Sequence, residues 1–326
     1  MAMLFSPRFL IAVILSCLPG SWIWGQERLT PDRQYLIAPA SPQQLRELFA
    51  PTGDPLPIVS AHRGGAGAGY PENCIATFEH TLSKTFSMLE VDPRLTRDGE
   101  VVLHHDATLD RTTTGSGRVA DKTLAELKQL RLKDSEGNVT DDRIPTLDEA
   151  LEWARGKTVL VLDQKDVPLK TRIEKIQQHD AESFAMLIVG NLADVKQVHR
   201  IAPDIMMEVM VPNRQKLKAF DQSGVPWSHV IAFLGHQPPT QPELYQLVHQ
   251  RGGSTMVGTS RNLDQEVADK RIAQVPAAAE AYRDLIARGA DIVETDLPRT
   301  VGPFLFDPPT IPTTKRASLQ IKSPPR

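Results

Sequence analysis

Cysteine is nearly absent from this chain. Of 326 residues only two are cysteines, Cys17 and Cys74, which excludes a disulfide framework and any cysteine-rich zinc or iron–sulfur site. An excess of one charge is also lacking. The 37 basic and 40 acidic residues give a formal net charge of −3, so there is no basic footprint for non-specific nucleic-acid binding. The apolar run Phe9-Leu10-Ile11-Ala12-Val13-Ile14-Leu15 falls well short of the ~20 residues that a membrane-spanning helix needs. A glycine-rich phosphate turn opening a helix is missing too. Gly65-Ala66-Gly67-Ala68-Gly69 is followed by Pro71-Glu72-Asn73 rather than by a helix start, which argues against an open, doubly wound dinucleotide fold. What remains is ordinary globular usage, 40% hydrophobic and 24% charged, which rules out a wholly disordered or collagenous chain.

Arg8 is the only charge before Glu27, and Leu18-Pro19-Gly20 breaks the apolar run that follows it. A positive start and a short apolar core predict a secretory signal peptide over residues 1–25 and an exported, periplasmic or secreted protein. A lipid anchor through Cys17 is the weaker alternative. With that segment removed Cys74 stands alone, and it reads as a small buried apolar side chain rather than a nucleophile.

Residues 26–56 form a polar, proline-containing lead-in with one helical stretch near 41–49. Short β-branched apolar runs then alternate with amphipathic helical patterns, the pattern of βαβ units and a parallel sheet. Candidate strands cover 58–62, 88–92, 158–163, 185–190, 205–211, 229–234, 253–257 and 291–295. Eight such units within residues 57–298 predict a (β/α)8 barrel. Val101-Val102-Leu103-His104 follows the second strand after only Thr96-Arg97-Asp98-Gly99. That gap is too short for a parallel crossover, so the run reads as a hairpin turned by Asp98-Gly99. Residues 107–145 are a long excursion with a helical piece at 123–132, and 299–326 read as a proline-rich, disordered tail.

The chemistry collects at the ends of the predicted strands, where barrels carry their active sites. Glu90 and Asp92 are two apart on a strand and leave the same face. Adjacent carboxylates repel unless a cation lies between them. Asp163, ending the next strand, completes an oxygen cage suited to magnesium or calcium better than zinc. His62 and His105 are the residue type that takes and gives protons near neutral pH. Arg63 and Lys165 are cations beside the acids, positioned to hold phosphate oxygens. His104 alternates away from His105 and reads as packing.

These residues sit in an ordered set of motifs. Ala61-His62-Arg63-Gly64, Pro71-Glu72-Asn73, Glu90-Val91-Asp92-Pro93-Arg94 and Leu95-Thr96-Arg97-Asp98-Gly99 come first. They are followed by Val101-Val102-Leu103-His104-His105-Asp106, Leu109-Asp110-Arg111-Thr112-Thr113, Ile144-Pro145-Thr146-Leu147 and Thr295-Asp296-Leu297-Pro298. Together they resemble the glycerophosphodiester phosphodiesterase family over about residues 58–298. The resemblance implies a TIM barrel, a divalent metal and hydrolysis of glycerophosphodiesters to an alcohol and sn-glycerol 3-phosphate. It implies His62 and His105 as the acid–base pair, Glu90, Asp92 and Asp163 as metal ligands, and Arg63 and Lys165 on the phosphate. Glu72 is implied near the metal or as a residue that orients its loop, and 107–145 as a small cap. The substrate implied is a small molecule, with no nucleic acid and no stable protein partner.

The sequence departs from the family pattern at several points. Asp163 stands where a glutamate is usual, Cys74 where threonine is common, Glu294 where the residue is usually apolar, and the tryptophan near the seventh strand is missing. Two other readings stay open at this level: a lysophospholipase D-like activity on lipid-sized diesters, and a non-catalytic ligand-binding barrel.

Overall fold

The computed structural model describes residues 33–53, 58–268, 275–306 and 311–323; the expected signal segment 1–25 lies outside them. Twelve strands follow one another along the described chain. They are β1 (Gln34–Ile37), β2 (Ile58–Ala61), β3 (Ser87–Val91), β4 (Pro93–Leu95), β5 (Val101–Leu103) and β6 (Leu160–Leu162), then β7 (Ala185–Val189), β8 (Met206–Met210), β9 (Val230–Phe233), β10 (Ser254–Gly258), β11 (Ile292–Thr295) and β12 (Leu319–Lys322). Eight of them close a barrel in the order β10-β11-β2-β3-β6-β7-β8-β9, all in parallel pairs. The (β/α)8 expectation therefore holds, and β4 and β5 form the expected antiparallel hairpin.

Parallel strands buried on both faces read as continuous apolar runs, and alternation decides which side each residue serves. Ile58, Met88, Val161, Met186, Met206, Ile231, Met256 and Ile292 pack together inside the barrel. Val59, Leu89, Leu162, Leu187, Met207, Ala232, Val257 and Val293 pack outward with the helices. Those helices start on side-chain caps where the sequence offers them. Thr146 with Glu149 forms a capping box, and Asn191 and Asn213 accept from the third residue beyond each.

The lower end of the barrel, at the starts of the strands, is closed by both ends of the described chain. β1 pairs antiparallel with β12, and Ile37, Leu45, Leu48, Phe49 and Leu319 join the inner cluster. This corrects the expectation of a disordered tail over 299–326 for its described residues, 299–306 and 311–323. Helix Pro298–Leu305 and strand β12 are built from that segment. Its order comes from a partner strand nearly the whole chain away, and the buried Lys315 ammonium donates to the carbonyls of Glu47 and Ala50. Neither feature is visible in local composition.

The excursion 107–145 carries a short helix, Leu124–Leu127, with a capping box of its own. Its small core contains Leu109, Val119, Leu127, Leu132 and Ile144, together with Val102 and the buried thiol of Cys74.

Candidate active site

The upper mouth gathers the residues picked out in the sequence. Met88 faces inward, so Glu90 does too, and Asp92 follows two residues later. Asp163 lies just past the end of β6. Carboxylate oxygens of Glu90, Asp92 and Asp163 all lie within 4.8 Å of one another, the one such group of possible metal ligands among the described residues. Burial, then the neighbouring charges of Asp92 and Asp163, push the Glu90 carboxyl well above the usual glutamate range. That is the electrostatic strain a cation would relieve. Hard, acceptor-only oxygens at this separation fit a divalent ion such as magnesium or calcium. Lys165 sits against the same acids, with Nζ 3.0 Å from Asp92 Oδ1 and 2.5 Å from Asp163 Oδ2.

Strand β2 ends in a tight turn, His62–Gly64. Arg63 adopts a left-handed backbone at φ 52°, an uncommon conformation for a side-chain-bearing residue and one that clusters at functional sites. Gly64 follows at φ 79°, and a Cβ there would lie 2.3 Å from the Phe78 ring, so only glycine fits. The turn aims the Arg63 backbone N–H at Glu90 Oε2, 2.8 Å away. The guanidinium of Arg63 reaches Glu72 Oε2 at 3.1 Å and His105 Nε2 at 2.9 Å. One residue thus ties the acidic group to one imidazole and stands next to the other.

Each imidazole is held by a carboxylate. His62 Nδ1 is 2.6 Å from Asp296 Oδ1, and His105 Nδ1 is 2.7 Å from Asp106 Oδ1. Both rings therefore use Nδ1 on a protein acid, the arrangement that fixes the orientation of a catalytic histidine. Burial disfavours the charged form of His62. The hydrogen bond and charge of Asp296, with Glu294 adding to them, outweigh it and raise its pKa above the ordinary 6.5. With Nδ1 on Asp106, His105 carries its lone pair at Nε2, where the Arg63 guanidinium engages it in this arrangement.

The other residues picked out in the sequence lie around this centre. Glu72 is not in the acidic group. It pairs with Arg63 and receives two bonds from Arg111, at 2.9 and 2.8 Å. Burial works against its charge, but Arg111 and Arg63 hold its pKa below the usual value. Glu72 therefore orients the loop. Arg63 and Lys165 are engaged by protein acids rather than left open. His104 is buried, bonded to Thr112 and the Asp106 carbonyl, as packing requires. Asn73 anchors Asp92 reciprocally, donating to Oδ2 at 2.6 Å and accepting from its backbone N–H at 2.9 Å.

Sequence reasoning did not assign a role to Asp296, Asp106 or Arg111, although all three stand in the quoted motifs. Arg111, from the excursion, bridges Glu72 and Asp106, and its hydrogen bond holds the Asp106 carboxyl well below its usual range. A carboxylate adjacent to His105 and one ending the last strand motif were the available signals. The buried Asp264 was invisible. It accepts from Thr259, Tyr282, Thr295 and the Asp296 backbone, and so fixes the loop that carries Asp296.

Known proteins share this sequence pattern and fold. Residues 62–268 match the model of the glycerophosphoryl diester phosphodiesterase family. The crystal structure of a glycerophosphoryl diester phosphodiesterase from Parabacteroides distasonis is 38% identical, with a TM-score of 0.82 over 88% of this chain and 99% of that one. YhdW of Bacillus subtilis is 40% identical over 174 residues, 50% of this chain and 71% of the relative. A glycerophosphodiester phosphodiesterase from Caldanaerobacter subterraneus is 34% identical over 161 residues, 47% of this chain and 66% of that one.

Proposed function

The chain belongs to the glycerophosphoryl diester phosphodiesterase family, and from that membership we propose a metal-dependent hydrolysis of glycerophosphodiesters to an alcohol and sn-glycerol 3-phosphate. The observation that carries the reading is the convergence around Arg63. Its backbone binds Glu90 of the acidic group, its guanidinium binds His105, and His62 precedes it. Glu90, Asp92 and Asp163 would hold a magnesium or calcium ion, which when bound polarises the phosphoryl oxygen and offsets charge developing in the transition state.

The protein's own residues divide the proton work. Once Arg63 turns to the phosphate, His105 Nε2 takes a proton from the attacking water, whose oxygen bonds to phosphorus as the alcohol oxygen leaves. His62, whose charged form Asp296 favours, gives one to the departing alcohol oxygen. Asp106 and Asp296 hold the two rings and favour the charge that each passes through. Arg63 and Lys165 exchange their protein acids for phosphate oxygens when the diester enters, Arg63 with the planar fork suited to that anion.

The test is release of sn-glycerol 3-phosphate from glycerophosphocholine, with and without a chelator. Release that stops on chelation and returns with magnesium or calcium supports the reading. Turnover unaffected by exhaustive chelation removes the metal from it, and no release from any glycerophosphodiester returns the chain to a binding barrel. Export through residues 1–25 is a second proposal, resting on the charge and apolar pattern there. N-terminal sequencing of the mature protein checks it: a start near residue 26 is expected, and a lipid-modified Cys17 would replace that cleavage with an anchor.

A further inference from the structure

The wall of the mouth opposite the acidic group has its own chemistry. Alternation along β8 turns Met206 inward and Met207 and Val209 outward, so Glu208 and Met210 face the mouth. On β11 the same alternation turns Glu294 inward after Ile292. Both glutamates are buried, Glu208 at 5% exposure and Glu294 at 6%. Glu208 Oε2 has no hydrogen-bond partner among the described residues, and neither does the fully buried Ser60 hydroxyl, whose residue is in register with Glu294. The charged groups acting on Glu208 are themselves acidic, Glu294 and Asp163. Buried polar atoms left without partners in a native fold point to something that binds there.

Apolar groups and one imidazole flank these acids: His236 Nδ1 is 3.9 Å from Glu294 Oε1, and burial lowers the His236 pKa, which favours the neutral ring. Met210 is 46% exposed at the rim. At Gly258 an added Cβ would lie 3.0 Å from the Phe233 ring, 2.7 Å from His236 Nδ1 and 3.2 Å from Glu294 Oε1, so these three groups converge on one point that only glycine leaves clear. Glu208 and Glu294 do not belong to the group whose oxygens lie within 4.8 Å. A thioether and a phenyl ring do not ligate a hard metal ion. They suit the alkyl part of an organic cation, whose charge the two carboxylates would take.

We propose that Glu208 and Glu294, with Phe233 and Met210, form a subsite for an ammonium group, so that the preferred diesters are those of amino alcohols. The proposal deepens the phosphodiesterase reading and rests on it for the orientation of the diester. The glycerophosphate end lies on the metal side and the cationic alcohol on the β8–β11 side. Glu208 and Glu294 are specificity-determining positions, and the carboxylates need not touch the reacting phosphorus.

The test compares glycerophosphoethanolamine with the uncharged-alcohol diester glycerophosphoglycerol. Equilibrium binding is measured by calorimetry in a His62→Ala background, which prevents turnover and keeps the result independent of whether the protein is a phosphodiesterase. The wild-type subsite should favour the cationic diester by about 10- to 100-fold, the scale of charge-assisted contacts. Glu208→Gln should abolish most of that preference. Met210→Lys, at a side chain 46% exposed, should do the same by placing a competing cation at the rim. Equal affinity for the two diesters, or an unchanged preference in both variants, overturns the proposal. Loss of one bound metal ion per chain in Glu208→Gln also overturns it, by making this a second metal site. Failure of the phosphodiesterase reading itself appears differently, as absence of glycerol 3-phosphate release from either diester by the wild type.

Discussion

The two halves of the barrel mouth hold acids in opposite ways. On the β2–β3–β6 side Asp92 and Asp163 meet Lys165, Glu90 receives the Arg63 backbone, and Glu72 and Asp106 share Arg111. On the β8–β11 side Glu208 and Glu294 act on each other and on Asp163, beside the Phe233 ring and a single imidazole, His236, whose Nδ1 is 3.9 Å from Glu294 Oε1. A carboxylate held by several donors is a pre-set tool, whereas a buried carboxylate without them carries a desolvation cost until a ligand or a proton arrives. The first half reads as the place of bond cleavage and the second as the place where the substrate is told apart from others.

The largest effect that would break this division is on turnover. His62→Ala should cut kcat by about 10²–10⁴-fold, the loss expected for a general acid, and by the same factor for cationic and neutral diesters. Near-normal turnover would remove His62 from the reaction, and a loss confined to one diester would erase the distinction between the halves.

Stability sharpens the comparison next. Burial pushes the Glu294 carboxyl from the ordinary 4.5 up to about 7. A raised carboxyl pKa means that the folded state binds this proton more tightly than the unfolded one. The stability it contributes is fully present below about 4.5 and is lost as pH rises through about 7. In protein free of metal and diester, Glu294→Gln should match wild type in acid and exceed it above neutrality, by at most ~3 kcal/mol. Denaturant melts at several pH values check this, and a constant difference across pH would reject it.

A smaller effect concerns the imidazole on the first half. Asp296→Asn removes the charge that raises the His62 pKa, so the alkaline fall of kcat/KM, where the acid loses its proton, should move to lower pH. An unmoved limb would assign that limb to another group. The smallest effect is at the shortened ligand. If Asp163 falls short of its metal, Asp163→Glu should tighten divalent-ion binding several-fold, read by calorimetry, and equal or weaker affinity would show that the shorter side chain is already seated.

The first half was legible in the sequence because its residues come as contiguous strand-end motifs. His62 and Arg63 end one apolar run, Glu90 and Asp92 the next, and His105 the hairpin after it. Period-two alternation was enough to put Glu90 and Asp92 on one face. The pairing of His62 with Asp296 was not legible, since 234 residues separate them and only barrel closure between β11 and β2 brings them together. Glu208 was hidden for a different reason. In Met206-Met207-Glu208-Val209-Met210 it is one acid in an apolar run, with no motif to mark it. Glu294 was noticed only as a charge in an apolar place. The final segment misled through its prolines, because the strand that orders it lies at the other end of the described chain.

The acidic group on β3 and β6 is tested most directly by equilibrium dialysis of chelated protein against calcium or magnesium, with glycerol 3-phosphate release followed on the same samples. One ion per chain, lost in Asp92→Asn together with turnover, is the expected result. Undiminished turnover by protein that binds no divalent ion would contradict it.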